Sequence, residues 1–314
     1  MGEGSMKLVT FTRGGDTSIG AYQEGKIIDL HASFLKLLMT TGEVRAQEIA
    51  NAYIPRDMIG FLEGGEKSFA YAQKAVNFAL QTDDSSLILD RKDVRLEAPI
   101  QRPQKMICVG QNYREHILEM GRELPEYPVL FAKFANAIIG PEDNIPFHPI
   151  SEQLDYEAEF AFVIGKRAKN VSEEDALDYV AGYTIGNDVT YRDIQRRTPQ
   201  WLQGKSVDGS APLGPWLVTS DEIADPSRLD ISLSVNGERR QKSNTANLVF
   251  TIPKLVAFIS ELMTLEPGDI IMTGTPAGVG FAMEPQGFLK GGDVVRIEVE
   301  KIGVLENKVE KVKR

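Results

Sequence analysis

The sequence contains few of the residues that build sulfur-bridged or transition-metal sites. Its 314 residues include one cysteine, Cys108, and three histidines. A single cysteine excludes an internal disulfide framework and a cysteine-rich zinc site. Cys108 lies in the apolar run 106–110, so we expect it to be a small core residue.

Long apolar runs and an excess of positive charge are also absent. No stretch approaches the roughly 18–20 apolar residues of a membrane span. Lys plus Arg number 35 against 45 Asp plus Glu, a net charge of −10, which disfavours nucleic-acid binding because cations must replace the phosphate counterions. Residues 1–5 lack signal-peptide features, and we interpret them as a cloning remnant. We predict a soluble, cytoplasmic protein with no nucleic-acid or membrane partner.

The length predicts about two domains. Residues 6–30 alternate short apolar runs with turns, which is typical of a β-meander. Residues 31–82 repeat apolar positions every three or four residues, which indicates helices. The segment 99–103 contains two prolines and is typical of a stiff linker. We therefore predict a small α+β N-terminal domain over residues 6–100 and a second domain over residues 103–314.

The second predicted domain has a different pattern of residues from the first. Short β-type runs alternate with Gly, Pro and Asn, and few segments have helical spacing. One helix is predicted to begin at Ser172, as its N-cap, and another over residues 252–263, with Pro253 in its first turn. Because strands and helices do not alternate regularly, we predict a mixed α and β fold that is predominantly β, with antiparallel or mixed sheets.

Three carboxylates indicate a metal site. Glu157 and Glu159 point to the same face of a predicted strand, and the apolar run that follows suggests burial. Two buried carboxylates repel each other, so a cation is expected beside them. Asp188, at the end of another apolar run, would supply a third oxygen ligand. Such a site suits Mg²⁺ or Mn²⁺, and Ca²⁺ is a further candidate. The alternatives are glutamates that face water and an Asp188 that caps a turn.

A histidine and a glutamate form a second candidate group. His116 and Glu119 lie three residues apart on a predicted short helix that Gly121 ends. The glutamate would orient the imidazole and raise its basicity, as in a general-base dyad. The alternative is an exposed helix pair worth a few tenths of a kcal/mol.

Together these motifs resemble the fumarylacetoacetate hydrolase superfamily over residues 103–310. The resemblance rests on five segments in the family's order and spacing: Gly110-Gln111-Asn112-Tyr113 with His116 and Glu119, Leu154 to Glu159, Asn187 to Gln195, Gly204-Lys205-Ser206, and Thr273 to Gly280. It implies a mixed β-sandwich roll with a small N-terminal α+β domain, commonly assembled as a homodimer.

The resemblance also implies roles for individual residues. The divalent-metal ligands match Glu157, Glu159 and Asp188. The catalytic positions match His116 and Glu119, a water-activating dyad on a segment that is often a mobile lid in relatives, and Lys205, which faces substrate and metal. The substrate-binding positions match Tyr113, Arg192, Gln195 and Thr275.

These roles predict a metal-dependent hydrolase. It would cleave a C–C bond in acylpyruvate-type 2-oxo acids, such as fumarylacetoacetate or fumarylpyruvate, through a metal-bound enolate. The main alternative is an oxaloacetate decarboxylase, which would reach the same enolate by losing CO₂ without an activated water. Isomerases, hydratases and lyases of related 2-oxo acids are further alternatives. A catalytically inactive interaction protein on the same fold comes last, because the dyad and all three metal carboxylates are present.

Overall fold

The structure, a computed structural model, describes residues 5–312. Residues 1–4 of the predicted cloning remnant lie outside the described residues. The described range contains nineteen β-strands and eight α-helices, which confirms the predicted mixed and predominantly β fold class. None of the helices within this range is long and apolar enough to cross a lipid bilayer.

The first hundred residues form a meander followed by helices, as predicted. Their elements are β1 (Lys7–Arg13), β2 (Asp16–Gln23), β3 (Lys26–Asp29), α1 (Leu30–Thr40), α2 (Ala46–Tyr53), α3 (Met58–Glu63), α4 (Gly65–Gln81), β4 (Ile88–Asp90) and β5 (Arg95–Glu97). Caps support two of the helix starts. The carboxylates of Asp29 and Asp57 accept hydrogen bonds from the backbone N–H groups of Ala32 and Gly60, respectively.

The rest of the chain is mainly strands. Its first part contains β6 (Met106–Gly110), α5 (Arg114–Glu119), β7 (Val129–Lys133), β8 (Ile138–Ile139), β9 (Ile145–Phe147), β10 (Leu154–Asp155), β11 (Ala158–Ile164), β12 (Val180–Asn187), β13 (Thr190–Tyr191), α6 (Arg192–Arg196) and α7 (Leu202–Lys205). Its second part contains β14 (Ala211–Thr219), β15 (Asp230–Val235), β16 (Glu238–Asn244), α8 (Ile252–Leu262), β17 (Ile270–Met272), β18 (Val294–Val299) and β19 (Gly303–Lys311).

One predicted helix is confirmed and one is wrong. The helix α8 begins with Pro253 in its first turn, as expected. At Ser172 the hydroxyl accepts a hydrogen bond from the backbone N–H of Asp175 at 3.2 Å, as an N-cap would. Only a short 3₁₀ helix, Ala176–Tyr179, follows. It ends after one turn because the chain enters β12 at Val180.

Two large sheets stack on each other. The larger sheet runs in the order β4-β3-β2-β1-β14-β12-β11-β17-β6-β7, and the smaller one in the order β16-β15-β18-β19-β9. Most neighbouring strands are antiparallel, but β17 with β6, β14 with β8, and β19 with β9 are parallel. The prediction of antiparallel or mixed sheets is therefore confirmed.

Side chains along β11 point alternately to the two faces of the larger sheet, and this shows what packs on each face. Phe160 and Phe162 belong to a core cluster shared with the smaller sheet and α8. Ala161 and Val163 point the other way, into a cluster shared with α1 to α4. The N-terminal strands also extend the larger sheet, because β1 pairs with β14. The two segments thus share a sheet and a core, and their division near residue 100 stays a prediction.

Candidate active site

The ends of two neighbouring strands bring the predicted metal carboxylates together. Strands β11 and β12 are antiparallel, with Ala158 opposite Asn187. Glu157 and Glu159 at the start of β11 therefore lie beside Asp188 at the end of β12. One ligand oxygen from each of the three lies within 4.8 Å of the others. The residues are 5%, 1% and 0% exposed, so the alternatives that place them in water are excluded.

Three buried cations surround this cluster. The Lys205 Nζ donates to Glu157 Oε2 at 2.8 Å and to Asp188 Oδ2 at 2.6 Å. Lys133 Nζ donates to Asp188 Oδ1 at 2.8 Å, and Arg192 Nη2 lies 2.7 Å from Glu157 Oε1. The structure thus places Lys205 within the cluster, and Arg192 beside it.

The two glutamates differ in their electrostatic surroundings. Burial raises the pKa of the Glu157 carboxyl, but Lys205 and Arg192 outweigh burial and bring that pKa down to about 2. Burial raises the pKa of the Glu159 carboxyl well above its usual value, and the charges of Asp188 and Glu157 raise it further. Within residues 5–312, the hydrogen bond to Glu159 comes from the backbone N–H of Gly274, at 2.8 Å. Glu159 is therefore the carboxylate that lacks a cation.

The basic groups of the cluster are held in their charged form. Burial lowers the pKa of the Lys205 ammonium, but the charges of Asp188 and Glu157 outweigh burial and raise it above its usual value. The same balance, with Asp155 and Glu157 as partners, raises the pKa of Arg192. Both side chains are therefore cations at neutral pH.

The donor set fits a divalent cation. Four buried carboxylates, those of the triad and Asp155, stand against the three buried cations Lys133, Arg192 and Lys205. When all four carboxylates are ionised, one negative charge is left over, and it lies where Glu159 has no ion partner. Carboxylate oxygens are the ligands that Mg²⁺ and Mn²⁺ prefer. A divalent ion would therefore relieve the remaining repulsion.

The predicted dyad lies on α5. His116 Nδ1 is 3.2 Å from Glu119 Oε2, and their side chains are 12% and 27% exposed. Backbone N–H of Gly278 donates to both Glu119 oxygens, at 3.1 and 3.2 Å. Because Nδ1 is engaged with Glu119, Nε2 is the ring nitrogen left for the cavity. The pair is therefore more than an exposed helix contact, since a second segment, the loop that contains Gly278, fixes the carboxylate.

Glycine is required where this loop approaches its neighbours. Gly274, at φ +102°, would place a Cβ 2.9 Å from the Val109 carbonyl oxygen. Gly278, at φ +99°, would place one 2.0 Å from the Arg240 carbonyl oxygen. The same two glycines donate the backbone hydrogen bonds to Glu159 and Glu119. The motif from Thr273 to Gly280 thus supports both acidic groups through its backbone.

One cavity connects His116 of the dyad with Glu157 and Glu159 of the carboxylate cluster. It has a volume of about 240 Å³. Its polar lining includes His116, Glu157, Glu159, Arg192, Gln195, Lys205 and Thr275. Phe131 and Trp201 form an apolar part of the wall, edge to face with ring centroids 5.4 Å apart.

Two of the predicted substrate contacts have free donors. The Thr275 hydroxyl accepts from Gln241 Nε2 at 2.8 Å, so its own hydrogen is free for a ligand. Gln195 Oε1 accepts from Arg192 Nη1 at 3.2 Å, which leaves the amide N–H₂ group available. Both residues line the cavity.

The other two predicted contacts are placed differently. Tyr113 is 0% exposed, packs in the main core cluster and does not line the cavity. Among the described residues its buried hydroxyl has no hydrogen-bond partner, and its role as a substrate contact stays a prediction. Arg192 lines the cavity, but its guanidinium is engaged by Asp155 at 2.7 Å, by Glu157 and by Gln195. Its first role is therefore to balance buried carboxylates.

Sequence reasoning missed three members of the site. Lys133 ends the apolar run 129–132, and a lysine in that position indicates a buried partner. Asp155, two residues before Glu157, accepts from the backbone N–H groups of Gly280 and Phe281 as well as from Arg192. Gln241, on β16, gave no signal, because its partners come from distant segments.

Comparisons with known proteins agree with this architecture. The family model described as fumarylacetoacetate (FAA) hydrolase C-terminal matches residues 105–310. A Xenopus laevis protein named oxaloacetate tautomerase fahd2, mitochondrial, is 47% identical over 264 residues, which are 82% of this chain and 81% of that protein. The solved fumarylacetoacetate hydrolase from Exiguobacterium antarcticum has a TM-score of 0.80 at 36% identity, covering 98% of this chain and 100% of its own.

A further solved structure carries a ligand and a metal. Maleylpyruvate hydrolase from Sphingobium sp. SYK-6, in complex with manganese (II) ion and pyruvate, has a TM-score of 0.74 at 30% identity and covers 98% of this chain and 100% of its own. Its manganese agrees with a metal role for the acidic triad and leaves the specific ion open.

The comparisons confirm the predicted superfamily and its fold. They support the predicted function in part, because the name of the Xenopus laevis relative favours the oxaloacetate alternative over acylpyruvate hydrolysis. The family match covers more than half of the chain, and the relative exceeds 30% identity over most of it. The chain therefore belongs to the fumarylacetoacetate hydrolase family, whose members are enzymes.

Proposed function

We propose that this enzyme is an isomerase that interconverts the keto and enol forms of a small 2-oxo dicarboxylic acid such as oxaloacetate. The observation that carries the proposal is the position of His116, which lines the cavity beside the carboxylate cluster while Glu119 holds its other ring nitrogen. The name of the Xenopus laevis relative supports the substrate class.

The reaction moves one proton and breaks no carbon–carbon bond. His116 Nε2 would take a proton from C3 of the keto acid, and the electron pair would move to form the C2–C3 double bond and an enolate oxygen. The imidazolium would then deliver the same proton to that oxygen. Glu119 stabilises the transient imidazolium and keeps the ring oriented. The reverse direction uses the same groups.

Other residues bind and orient the substrate. The free hydroxyl hydrogen of Thr275 and the amide of Gln195 would donate to the carboxylate at C1. Lys205, held as an ammonium, would stabilise negative charge that develops on the keto oxygen. Glu157, Glu159 and Asp188 would hold Mg²⁺ or Mn²⁺, which supplies Lewis-acid polarisation when bound. Phe131 and Trp201 would exclude water from one side.

The size of the cavity favours a short substrate. Its volume of about 240 Å³ lies below the roughly 300–1,000 Å³ of pockets that enclose drug-sized ligands. A four-carbon acid suits this space better than an extended acylpyruvate. Hydrolysis of an acylpyruvate, with His116 activating water, is the second candidate, supported by the similarity to maleylpyruvate hydrolase.

Enol absorbance gives a direct test. Enol oxaloacetate, prepared in dry solvent, is diluted into buffer with the protein and Mg²⁺ or Mn²⁺, and decay of the ultraviolet absorbance of the enol is followed. A coupled lactate dehydrogenase assay measures pyruvate in parallel. We expect the enol absorbance to decay faster than in the same buffer and metal without the protein. Pyruvate should not be released at a matching rate. Pyruvate release at the rate of enol decay would instead identify a decarboxylase, and an unchanged decay rate would refute the proposal.

The acylpyruvate candidate needs its own substrates. Fumarylpyruvate and maleylpyruvate are offered under the same conditions, and release of pyruvate is measured. Turnover of either, with no effect on enol oxaloacetate, would favour the hydrolase.

Two further features of the protein are also proposals. We propose a homodimer, which light scattering coupled to size exclusion would detect as twice the 34.8 kDa chain mass. We propose a cytoplasmic location, which fractionation of the source cells would test.

A further inference from the structure

Two arginines on the wall of the cavity have no acidic partner. Arg122 and Arg196 both line it, and both are exposed. Among the described residues, neither guanidinium forms an ion pair, whereas the nearby Arg192 pairs with two carboxylates at 2.7 Å. Arg196 lies over the ring of Phe281, with its Cζ 4.7 Å from the centroid. Stacking of this kind orients the guanidinium plane and leaves its N–H edges free.

The remaining cations of the site are already engaged. Lys205 contacts Glu157 and Asp188, and Arg192 contacts Asp155 and the same Glu157. Lys133 contacts Asp188 and is 1% exposed. An incoming anion therefore meets uncommitted positive charge at Arg122 and Arg196.

The two arginines come from different elements. Arg122 follows α5 directly after Gly121, whose positive φ of 65° ends the helix, and its backbone N–H donates to the Ile117 carbonyl at 3.0 Å. Arg196 is the last residue of α6, the helix that also supplies Arg192 and Gln195. One guanidinium thus belongs to the segment of the dyad, and the other to the segment of the proposed C1-carboxylate contacts.

We propose that Arg122 and Arg196 form a subsite for the second carboxylate of the substrate, the one at C4 of a 2-oxo dicarboxylic acid. This inference rests on the proposed function, whose substrate class it narrows. The proposed contacts of Thr275, Gln195 and Lys205 take the C1 carboxylate and the keto oxygen, so the second carboxylate needs partners of its own elsewhere on the cavity wall. A guanidinium fork matches a carboxylate in two parallel hydrogen bonds.

The subsite divides recognition between the two ends of the substrate. Thr275 and Gln195 bind the C1 carboxylate, which every 2-oxo acid has. The arginine pair binds a group that pyruvate and other monocarboxylic acids lack. Selection for dicarboxylic acids therefore depends on the two arginines, and it is independent of the proton transfer at His116.

A pair of ligands isolates this contact. The first is 3,3-difluoro-oxaloacetate, which has no hydrogen at C3 and cannot form an enol, and the second is 3,3-difluoropyruvate, which lacks the C4 carboxylate. Binding to the full chain with Mg²⁺ is measured by fluorine NMR titration, which also reports whether each ligand stays intact. The variants are Arg122→Gln and Arg196→Gln.

Two neighbouring arginines provide matched controls. Arg197 is exposed, does not line the cavity and bonds Gln203 at 2.7 Å. Arg114, at the start of α5, is exposed and also does not line the cavity. The variants Arg197→Gln and Arg114→Gln remove the same charge from the same segments, so they report any general electrostatic effect.

We expect each subsite variant to weaken binding of the dicarboxylate about tenfold, the effect of losing one charge-assisted contact at a partly exposed site. Binding of the monocarboxylate and of both ligands to the controls should change by less than about twofold. Equal losses for both ligands, or no loss for the dicarboxylate, would overturn the subsite. Selective loss in an enzyme that leaves enol oxaloacetate untouched would support the subsite and refute the tautomerase.

Discussion

The floor of the cavity and its rim are built in opposite ways. On the floor, Glu157, Glu159 and Asp188 are at most 5% exposed and lie among buried cations. On the rim, His116 and Glu119 sit on the six-residue helix α5 and remain partly exposed. On the floor, the pairing of β11 with β12 holds together carboxylates that would otherwise repel one another. The rim uses helix spacing to present a base to a ligand. Loss of a buried cation from the floor should therefore reduce stability, and damage to the rim should reduce only activity.

The largest effect is expected from Lys133→Met. Removing this buried cation leaves Asp188 with one partner instead of two and should lower the free energy of unfolding by about 3–5 kcal/mol. Urea denaturation of the metal-free protein measures the change. Lys26→Met breaks the exposed pair with Asp90, whose length of 2.7 Å is close to the 2.8 Å of the buried pair, and should lower the free energy of unfolding far less, because water screens both charges. Similar losses in both variants would contradict the distinction between floor and surface.

A variant of the rim tests the other half of the comparison. His116→Asn should lower the rate of enol decay about 100- to 1,000-fold, because the proton acceptor is lost. Its urea midpoint and its affinity for Mn²⁺ should match those of the parent protein. A large loss of stability would show that α5 belongs to the structural core, which would remove the contrast.

The floor also contains its own internal contrast, since Glu159 lacks the cations that hold Glu157. Glu159→Gln should weaken Mn²⁺ binding by about 100-fold, or about 2.7 kcal/mol, because one anionic ligand becomes neutral. Calorimetric titration with Mn²⁺ measures this. Glu152→Gln, at an exposed position nearby, removes the same charge and should leave the affinity unchanged. Unchanged Mn²⁺ binding in Glu159→Gln would rule out Glu159 as a ligand.

The smallest expected effect is a gain in the stability of the metal-free protein when Glu159 is replaced by glutamine. The folded-state pKa of Glu159 is raised above 4.5, so its ionisation destabilises the fold as pH rises from 4.5 through that pKa. Without metal, Glu159→Gln should therefore be more stable than the parent, by roughly 1–2 kcal/mol at pH 8. The difference should shrink as pH falls toward 4.5. Thermal unfolding at several pH values would detect it, and a variant less stable than the parent at pH 8 would contradict the assignment.

Sequence spacing revealed the groups whose members lie close together along the chain. His116 with Glu119 follows from helix spacing, and Glu157 with Glu159 follows from strand alternation. Asp188 was added as a third ligand because it stands at the end of another apolar run. Each of these inferences needs only local geometry.

The missed residues depend on long-range pairing. Lys133 contacts Asp188 across 55 residues, and Gln241 contacts Ala158 and Thr275 across 83 and 34 residues. Such contacts depend on the order of the strands in the sheet. The spacing of residues along the sequence does not encode that order. At Ser172 the sequence predicted too much structure. The local capping hydrogen bond forms, but the chain enters β12 and the helix ends after one turn.

The pairing of β1 with β14 has a consequence for how the protein is made. The backbone N–H of Met6 donates to the Thr219 hydroxyl at 2.9 Å, across 213 residues, and Lys7 pairs with Val218. At about 5–20 residues per second, a ribosome needs roughly 10–40 s to reach that partner. During this interval the first strand has β2 on one side. On the other side β5 can pair with residues 10–12, but Lys7 and Leu8, the partners of β14, have no neighbouring strand. The sheet around β1 can therefore be completed only after β14 has been synthesised.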